Sequence, residues 1–323
     1  MVETGDLLLA LYGATSGDIA ISKIKGAINQ AILCIRTKQN KKFIESVWNK
    51  HVERLLQTYL QGGQGNLSAD IVKNIPFYFA NSEEQDKLAK FISLLDKRIA
   101  TQNKIIEKLE TLIKGITDVL LDNPLWEKVF LHSFMQFYPS NSLSWEQLSY
   151  EDGKIRNLHY GLIHNFSTKG ITANSLPMIL PHNEPKQFTL CKVGDVAFAD
   201  ASEDTNEIGK AVEFISVHPS GTVCGLHTIH GRDIKNKTFV GFKGFAFNSR
   251  YFHDQIKRLA QGSKVFSITA SNLLSCYIYI PNIAKQEMIT KLLHAYEEKI
   301  MANKTLLDKY EMQRAYLLQR MFI

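Results

Sequence analysis

Apolar residues along this chain fall into two long stripes with the same spacing. From Leu88, the positions Ile92, Leu95, Ile99, Ile106, Leu109, Ile113, Ile116 and Leu120 follow in steps alternating four and three, with Gln102 taking one step. That period is a heptad, and it predicts a long amphipathic helix with a narrow seam. The second stripe runs through Ile289, Leu293, Tyr296, Ile300, Leu307, Tyr310, Leu317 and Met321, with Asn303 and Arg314 taking two of its steps, Asn303 the one equivalent to Gln102. Laid on each other, Gln85 meets Gln286, Ile99 meets Ile300 and Glu110 meets Glu311 without a gap. Matching polar steps predict two helices packed on each other in antiparallel sense, related by a pseudo-twofold. About 38 residues at 1.5 Å each make a rod of about 57 Å, longer than a globular core needs and suited to holding two bodies apart.

The likeness continues upstream, so the chain is an internal repeat. LQGGQGNLSADIVKNIPF (60–77) resembles AQGSKVFSITASNLLSCYI (260–278), and Gly5-Asp6-Leu7 faces Gly194-Asp195-Val196. Each copy reads as a β-rich block, a glycine loop, a β segment and one long helix. Asn123-Pro124 stops the first helix, because proline cannot continue the hydrogen-bond ladder. Beyond it, residues 126–281 are rich in Gly, Asn, Ser and aromatics, and stretches such as TVCGLHTI and KTFVGFKGFAF read as strands between turns. The predicted class is α+β: β-rich domains alternating with two long helices.

Composition adds limits. With 323 residues, 45% hydrophobic, the chain has room for two or three domains. No apolar run is long enough to span a bilayer and no leader pattern opens the chain, which predicts a cytoplasmic protein without a membrane partner. Cys34, Cys191, Cys224 and Cys276 lack paired spacing and read as reduced, buried thiols. The net charge of +6 is spread thinly, so it supports a nucleic-acid partner only mildly.

Candidate chemistry is sparse. NIPF at 74–77 is one residue from the tetrad with which adenine methyltransferases hold their target amino group, but its repeat partner SCYI has no such residues, and no glycine-rich turn offers a place for S-adenosylmethionine. It reads as a strand edge. GATSG at 13–17 lacks the spacing of a phosphate loop and reads as a turn. In Cys224-x-x-His227-x-x-His230, strand alternation sends Cys224 and His230 to one face and His227 to the other, so the three do not converge on a metal. Asp200, Glu203, Asp204 and Glu207 sit in a polar stretch and read as a solvated turn. The expectation is a protein with no cofactor, no metal and no catalysis of its own.

What remains is recognition. The order of a glycine loop, Leu-Ser or Ile-Thr, a β segment and then Glu84-Gln85 (Lys285-Gln286 in the second copy) opening a long heptad helix resembles the specificity subunit of type I restriction-modification systems. Residues from Trp126 onward also resemble the opening of that family's target recognition domain. The resemblance covers nearly the whole chain. It implies a non-catalytic subunit whose two recognition domains each read half of a bipartite site in double-stranded DNA. The helices would serve as a ruler and as the docking surface for methyltransferase (M) subunits, to which restriction and motor (R) subunits are added.

On this resemblance, residues 1–83 are the rear part of a truncated first recognition domain and 84–122 the first spacer helix. Residues 126–281 are a complete second recognition domain and 282–323 the second helix. The first copy lacks the counterpart of roughly residues 126–189, so its sheet should expose strand edges, and two chains would pair through their helices to present two complete domains. The seam is expected at Ile92, Leu95, Ile99, Gln102, Ile106 and Leu109 against Ile300, Asn303 and Leu307. Cations beside turn residues are the candidate DNA contacts: Lys154, Arg156, Lys169, Lys210, Arg232, Lys235, Lys237 and Lys264, with Tyr150, His159 and Tyr160 flanking the first pair. The competing reading is a non-catalytic protein-interaction scaffold, whose binding would be indifferent to DNA sequence.

Overall fold

The computed structural model describes residues 1–59, 67–164 and 170–322. The chain divides into two compact units, Met1–Glu107 with Met301–Ile323, and Lys108–Ile300. Both long helices contribute to each: Ser82–Leu121 has 40 residues and Ile283–Met321 has 39.

The two helices begin the same way. Asn81 Oδ1 accepts from the Glu84 N–H, and Asn282 Oδ1 from the Lys285 N–H, each satisfying one of the free donors of a helix start. One residue on, a buried glutamine ties each helix to the chain before it. Gln85 Nε2 donates to the Ala80 carbonyl and its Oε1 accepts from the Asn40 N–H. Gln286 Nε2 donates to the Pro281 and Lys237 carbonyls and its Oε1 accepts from the Phe239 N–H.

In the first unit the helices run antiparallel, because ascending positions on one meet descending positions on the other. Asp96 pairs with Arg314 at 2.5 Å, Arg98 lies 4.7 Å over the Tyr310 ring, and Gln102 Nε2 donates to Asn303 Oδ1 at 2.7 Å. Lys42 joins Asp96 from the helix Lys41–Tyr59. Ile92, Leu95, Gln102 and Ile106 are buried, whereas Ile99, Leu109, Ile300, Asn303 and Leu307 are half-buried. Ile92 and Leu95 share a core with Leu318 and Phe322. In the second unit Ile113, Ile116 and Leu120 pack on a core that includes Ile289 and Leu293.

The Gln102–Asn303 bond fixes register at some cost in stability, since an apolar pair would avoid desolvating two amides. Gln102→Leu alone should destabilise by about 1 kcal/mol, by removing a partner from Asn303. Gln102→Leu with Asn303→Leu should recover that loss or exceed it. Urea titration of the three proteins checks this, and a double variant less stable than the single one would contradict it.

Each repeat has a small antiparallel sheet. In the first, Leu7–Ala10 lies between Ile19–Ile21 and Ile32–Ile35, with Leu7 facing Ile21 and Ile35. In the second, Val196–Ala199 lies between Ala211–Glu213 and Thr228–Asp233, with Val196 facing Glu213 and Gly231. The second sheet has a fourth strand, Met135–Tyr138, on the far edge of Thr228–Asp233. Among the described residues the equivalent edge of Ile32–Ile35 has no strand. Likewise Tyr277–Ile280 pairs with Glu127–Phe130, while among the described residues its counterpart at residues 76–79 has no partner strand and leaves Tyr78 82% exposed.

Some local readings fail. KTFVGFKGFAF is not a strand, because Phe242–Ala246 is a helix that buries Phe242, Phe245 and Ala246 together, a spacing of three and four. NIPF is not a strand edge: the helix Ala69–Asn74, capped by Ser68, ends on its first residue, and Pro76 then forces extended backbone. Its repeat counterpart Ala270–Ser275 is capped in the same way by Thr269. GATSG is a turn.

Candidate nucleic-acid interface

At the start of each sheet the sequence repeats Gly-Asp, and the geometry repeats with it. Gly5 and Gly194 adopt φ of +89° and +87°, a conformation that favours glycine. Asp6 Oδ2 accepts from the Glu3 N–H at 2.9 Å, and Asp195 Oδ2 from the Lys192 N–H at 2.8 Å. An arginine closes each turn, Arg36 one residue past Ile32–Ile35 and Arg232 within Thr228–Asp233. Arg36 Nε donates to Asp6 at 3.2 Å and its Nη2 to the Met1 carbonyl; Arg232 Nε and Nη2 donate to Asp195 at 2.8 and 2.7 Å, and Nη2 also to the Leu190 carbonyl.

Arg232 is therefore committed to Asp195, and stacks over Tyr138 besides. Burial disfavours the Asp195 charge, but hydrogen bonds from Arg232 and His230 outweigh it and hold the carboxyl below its ordinary range. Arg156 is also spent internally, since its Nη1 donates to the Leu176 carbonyl at 2.6 Å. Lys210 bonds to Glu207 at 3.2 Å and Lys237 pairs with Glu127 at 3.2 Å. Lys154, Lys235 and Lys264 are exposed, and no ion pair engages them among the described residues. They are the candidates whose charge is open to a phosphate. Lys169 lies outside the described residues.

The aromatics around Lys154 and Arg156 separate into two groups. Tyr150 is 60% exposed. His159 and Tyr160 belong to a row of rings running Trp145, His159, Tyr160, His227, with centroids 4.4, 4.6 and 5.3 Å apart. Burial, then the neighbouring His227, pushes the His159 pKa down, so its ring is neutral at physiological pH. Trp145 and the His227 side chain are about half exposed at the two ends of the row. The sequence reading missed Trp145, which lies 14 residues before His159 with no local pattern joining them.

His227 bonds to Asp200 from the turn between Thr222–Cys224 and Thr228–Asp233, at φ +54°, so the single strand on which the alternation argument placed Cys224, His227 and His230 does not exist. Glu207 is not a freely solvated carboxylate, because His164 at 2.7 Å and Lys210 fix it against the cost of its partial burial. A cavity of about 600 Å³ beside it is lined by the cations Lys114, Lys210, Arg250 and Lys257 and by as many carboxylates, a balance that favours neither an anion nor a cation. Among the described residues, no helix is long and apolar enough to cross a membrane.

Known proteins resemble the chain in sequence and in fold. Residues 2–111 match the family described as Type I restriction modification DNA specificity domain. The Type I restriction enzyme MjaVIII specificity subunit of Methanocaldococcus jannaschii is 24% identical over 324 residues, covering 93% of this chain and 74% of that protein. The crystal structure of a type I restriction-modification S subunit from M. genitalium aligns over 100% of this chain and 84% of its own, with TM-score 0.57 and 14% identity. A structure titled for complex assembly and conformational transition of the type I R-M system gives TM-score 0.62 at 15% identity, over 99% of this chain and 82% of its own. The HsdS subunit of Thermoanaerobacter tengcongensis gives 0.51 at 14%, over 99% and 80%.

Proposed function

We infer that this chain, which belongs to the specificity-subunit family of type I restriction-modification systems, is the component that reads DNA sequence and is not itself the enzyme. The observation that carries the reading is the repeat: the same Gly-Asp-Arg turn and the same glutamine-anchored helix start occur twice, around helices that pair antiparallel. Two similar modules on paired helices suit a bipartite site. In this reading residues 126–281 form a complete recognition domain, and residues 1–83 correspond to the rear part of another. The unpaired edge of Ile32–Ile35 and the exposed Tyr78 support that view of the first repeat. Lys154, Lys235 and Lys264 would contact phosphates, and the row from Trp145 to His227 would lie near the bases.

The helices then act as the spacer and as the docking surface for two methyltransferase subunits, through which restriction and motor subunits join in the cytoplasm. Exposed apolar residues on the helix segments of the first unit, among them Leu94, Met301 and Met312, support such a surface. Two chains pairing through these helices would present two copies of the second repeat to a palindromic bipartite site.

The test is binding of random and selected duplexes at two salt concentrations, with the methyltransferase partner present. A reader that neutralises 6–10 phosphates should lose about 10³–10⁵ in affinity between 50 and 200 mM salt while keeping its preferred site. Methyl transfer should require the added partner. Binding indifferent to sequence, or methyl transfer by the purified chain alone, would overturn the reading.

A further inference from the structure

We propose that Cys191, Cys224 and His230 form a binding site for a thiophilic divalent cation of the zinc class inside the second repeat. The two sulfurs and a ring nitrogen of His230 all lie within 4.8 Å of one another, and all three residues are buried. The sulfurs are 3.6 Å apart. Two thiolates about 2.3 Å from a tetrahedral ion sit about 3.8 Å from each other, so the pair already stands at the required spacing.

The histidine supplies the second observation. His230 is fully buried; its Nε2 is held 2.7 Å from Asp195 Oδ2, while its Nδ1 has no hydrogen-bond partner. Donating one ring N–H to a carboxylate leaves the other nitrogen with an open lone pair, and this is the arrangement that orients a metal-binding imidazole. A buried acceptor with nothing to accept is otherwise costly. A cation at Nδ1 removes that cost, and two thiolates balance its charge. His230 would reach the ion through Nδ1, and water would fill the remaining position of a Cys₂His set.

The sequence reading rejected Cys224-x-x-His227-x-x-His230 because His227 points to the wrong face. Cys191 takes its place. It reaches the site through the bridge between Leu190 and Val223, with its N–H donating to the Thr222 carbonyl. The ion would thus staple Thr222–Cys224, which pairs with Arg156–Leu158, to Thr228–Asp233 in the neighbouring sheet. In the first repeat Cys34 occupies the register position of His230 and donates to Asp6, so no second site is expected there.

The test uses the full chain, purified under reductant and stripped with chelator. On adding Zn²⁺ it should bind about one equivalent and release protons from the thiols. It should also gain roughly 5 °C or more in unfolding midpoint. Co²⁺ in place of Zn²⁺ should give a thiolate-to-cobalt absorption band. Cys191→Ser and Cys224→Ser should each abolish the band and weaken Zn²⁺ binding by about 100-fold or more, whereas Cys34→Ser should change neither. If the serine variants fail to fold, the cobalt band and proton release of the wild type decide. Absence of that band, a band that survives either serine change, or a Cys191–Cys224 disulfide that takes up no metal after reduction would overturn the proposal.

Discussion

Lys243→Met is expected to destabilise the second unit by about 3–5 kcal/mol, the usual cost of leaving one member of a buried ion pair alone. Lys243 Nζ lies 2.9 Å from Glu213 Oε1, with both side chains almost wholly shielded from water. The ammonium also donates to Thr238 Oγ1, and the Gly244 N–H donates to Glu213 Oε2. Removing the lysine leaves Glu213 a buried carboxylate with that single N–H. Adding Glu213→Gln removes the charge while keeping an oxygen for Gly244, so the double variant should recover most of the loss. Urea unfolding measures both. A loss below about 1 kcal/mol for Lys243→Met would mean that the helix Phe242–Ala246 relaxes to let water in.

A second large effect should separate the two copies of the Gly-Asp-Arg turn. Asp195→Ala strands Arg232 and a fully buried His230 and frees the Lys192 N–H, and is expected to cost about 3 kcal/mol, measured with chelator present. Asp6→Ala removes the same bonds, but Arg36 is 62% exposed and water can replace the carboxylate, so the loss should be much smaller. Acid should reveal the same difference. Hydrogen bonds hold the Asp195 carboxyl below its unfolded value despite burial; its contribution is therefore present at neutral pH and lost as pH falls below about 4, through the lowered folded pKa. The Asp195→Ala protein should accordingly lose less stability on acidification than the wild type. Equal acid slopes would show that the turn is not what acid breaks.

The long helices were legible because a heptad repeats one simple contact many times, and Gln102 and Asn303 marked the register in advance. The class and the antiparallel pairing followed from that. The candidate contacts were less legible. Arg156 and Arg232 stand beside turns just as Lys154 and Lys235 do, yet the strand positions of the arginines turn them toward the Leu176 carbonyl and Asp195. A signal existed: Gly-Asp followed by an arginine at or just past a later strand occurs in both copies, and a repeated pair of opposite charges points to structure before function. No such signal joined Cys191 to His230, because their meeting depends on one isolated bridge between segments 33 residues apart.

The glutamines at the helix starts bear on how such a chain can change. Gln286 is held by main-chain groups alone, two carbonyls and one N–H, whereas Gln85 adds to its main-chain carbonyl and N–H a bond to the Gln39 side chain. Main-chain groups are supplied by any sequence that reaches the same backbone path. The Gln286 fastening places no demand on the side chains of the block it holds, so one β-rich block can be exchanged for another at this joint without redesigning the helix. Diversity of the block and constancy of the frame that presents it are then separable at a single residue of the second repeat.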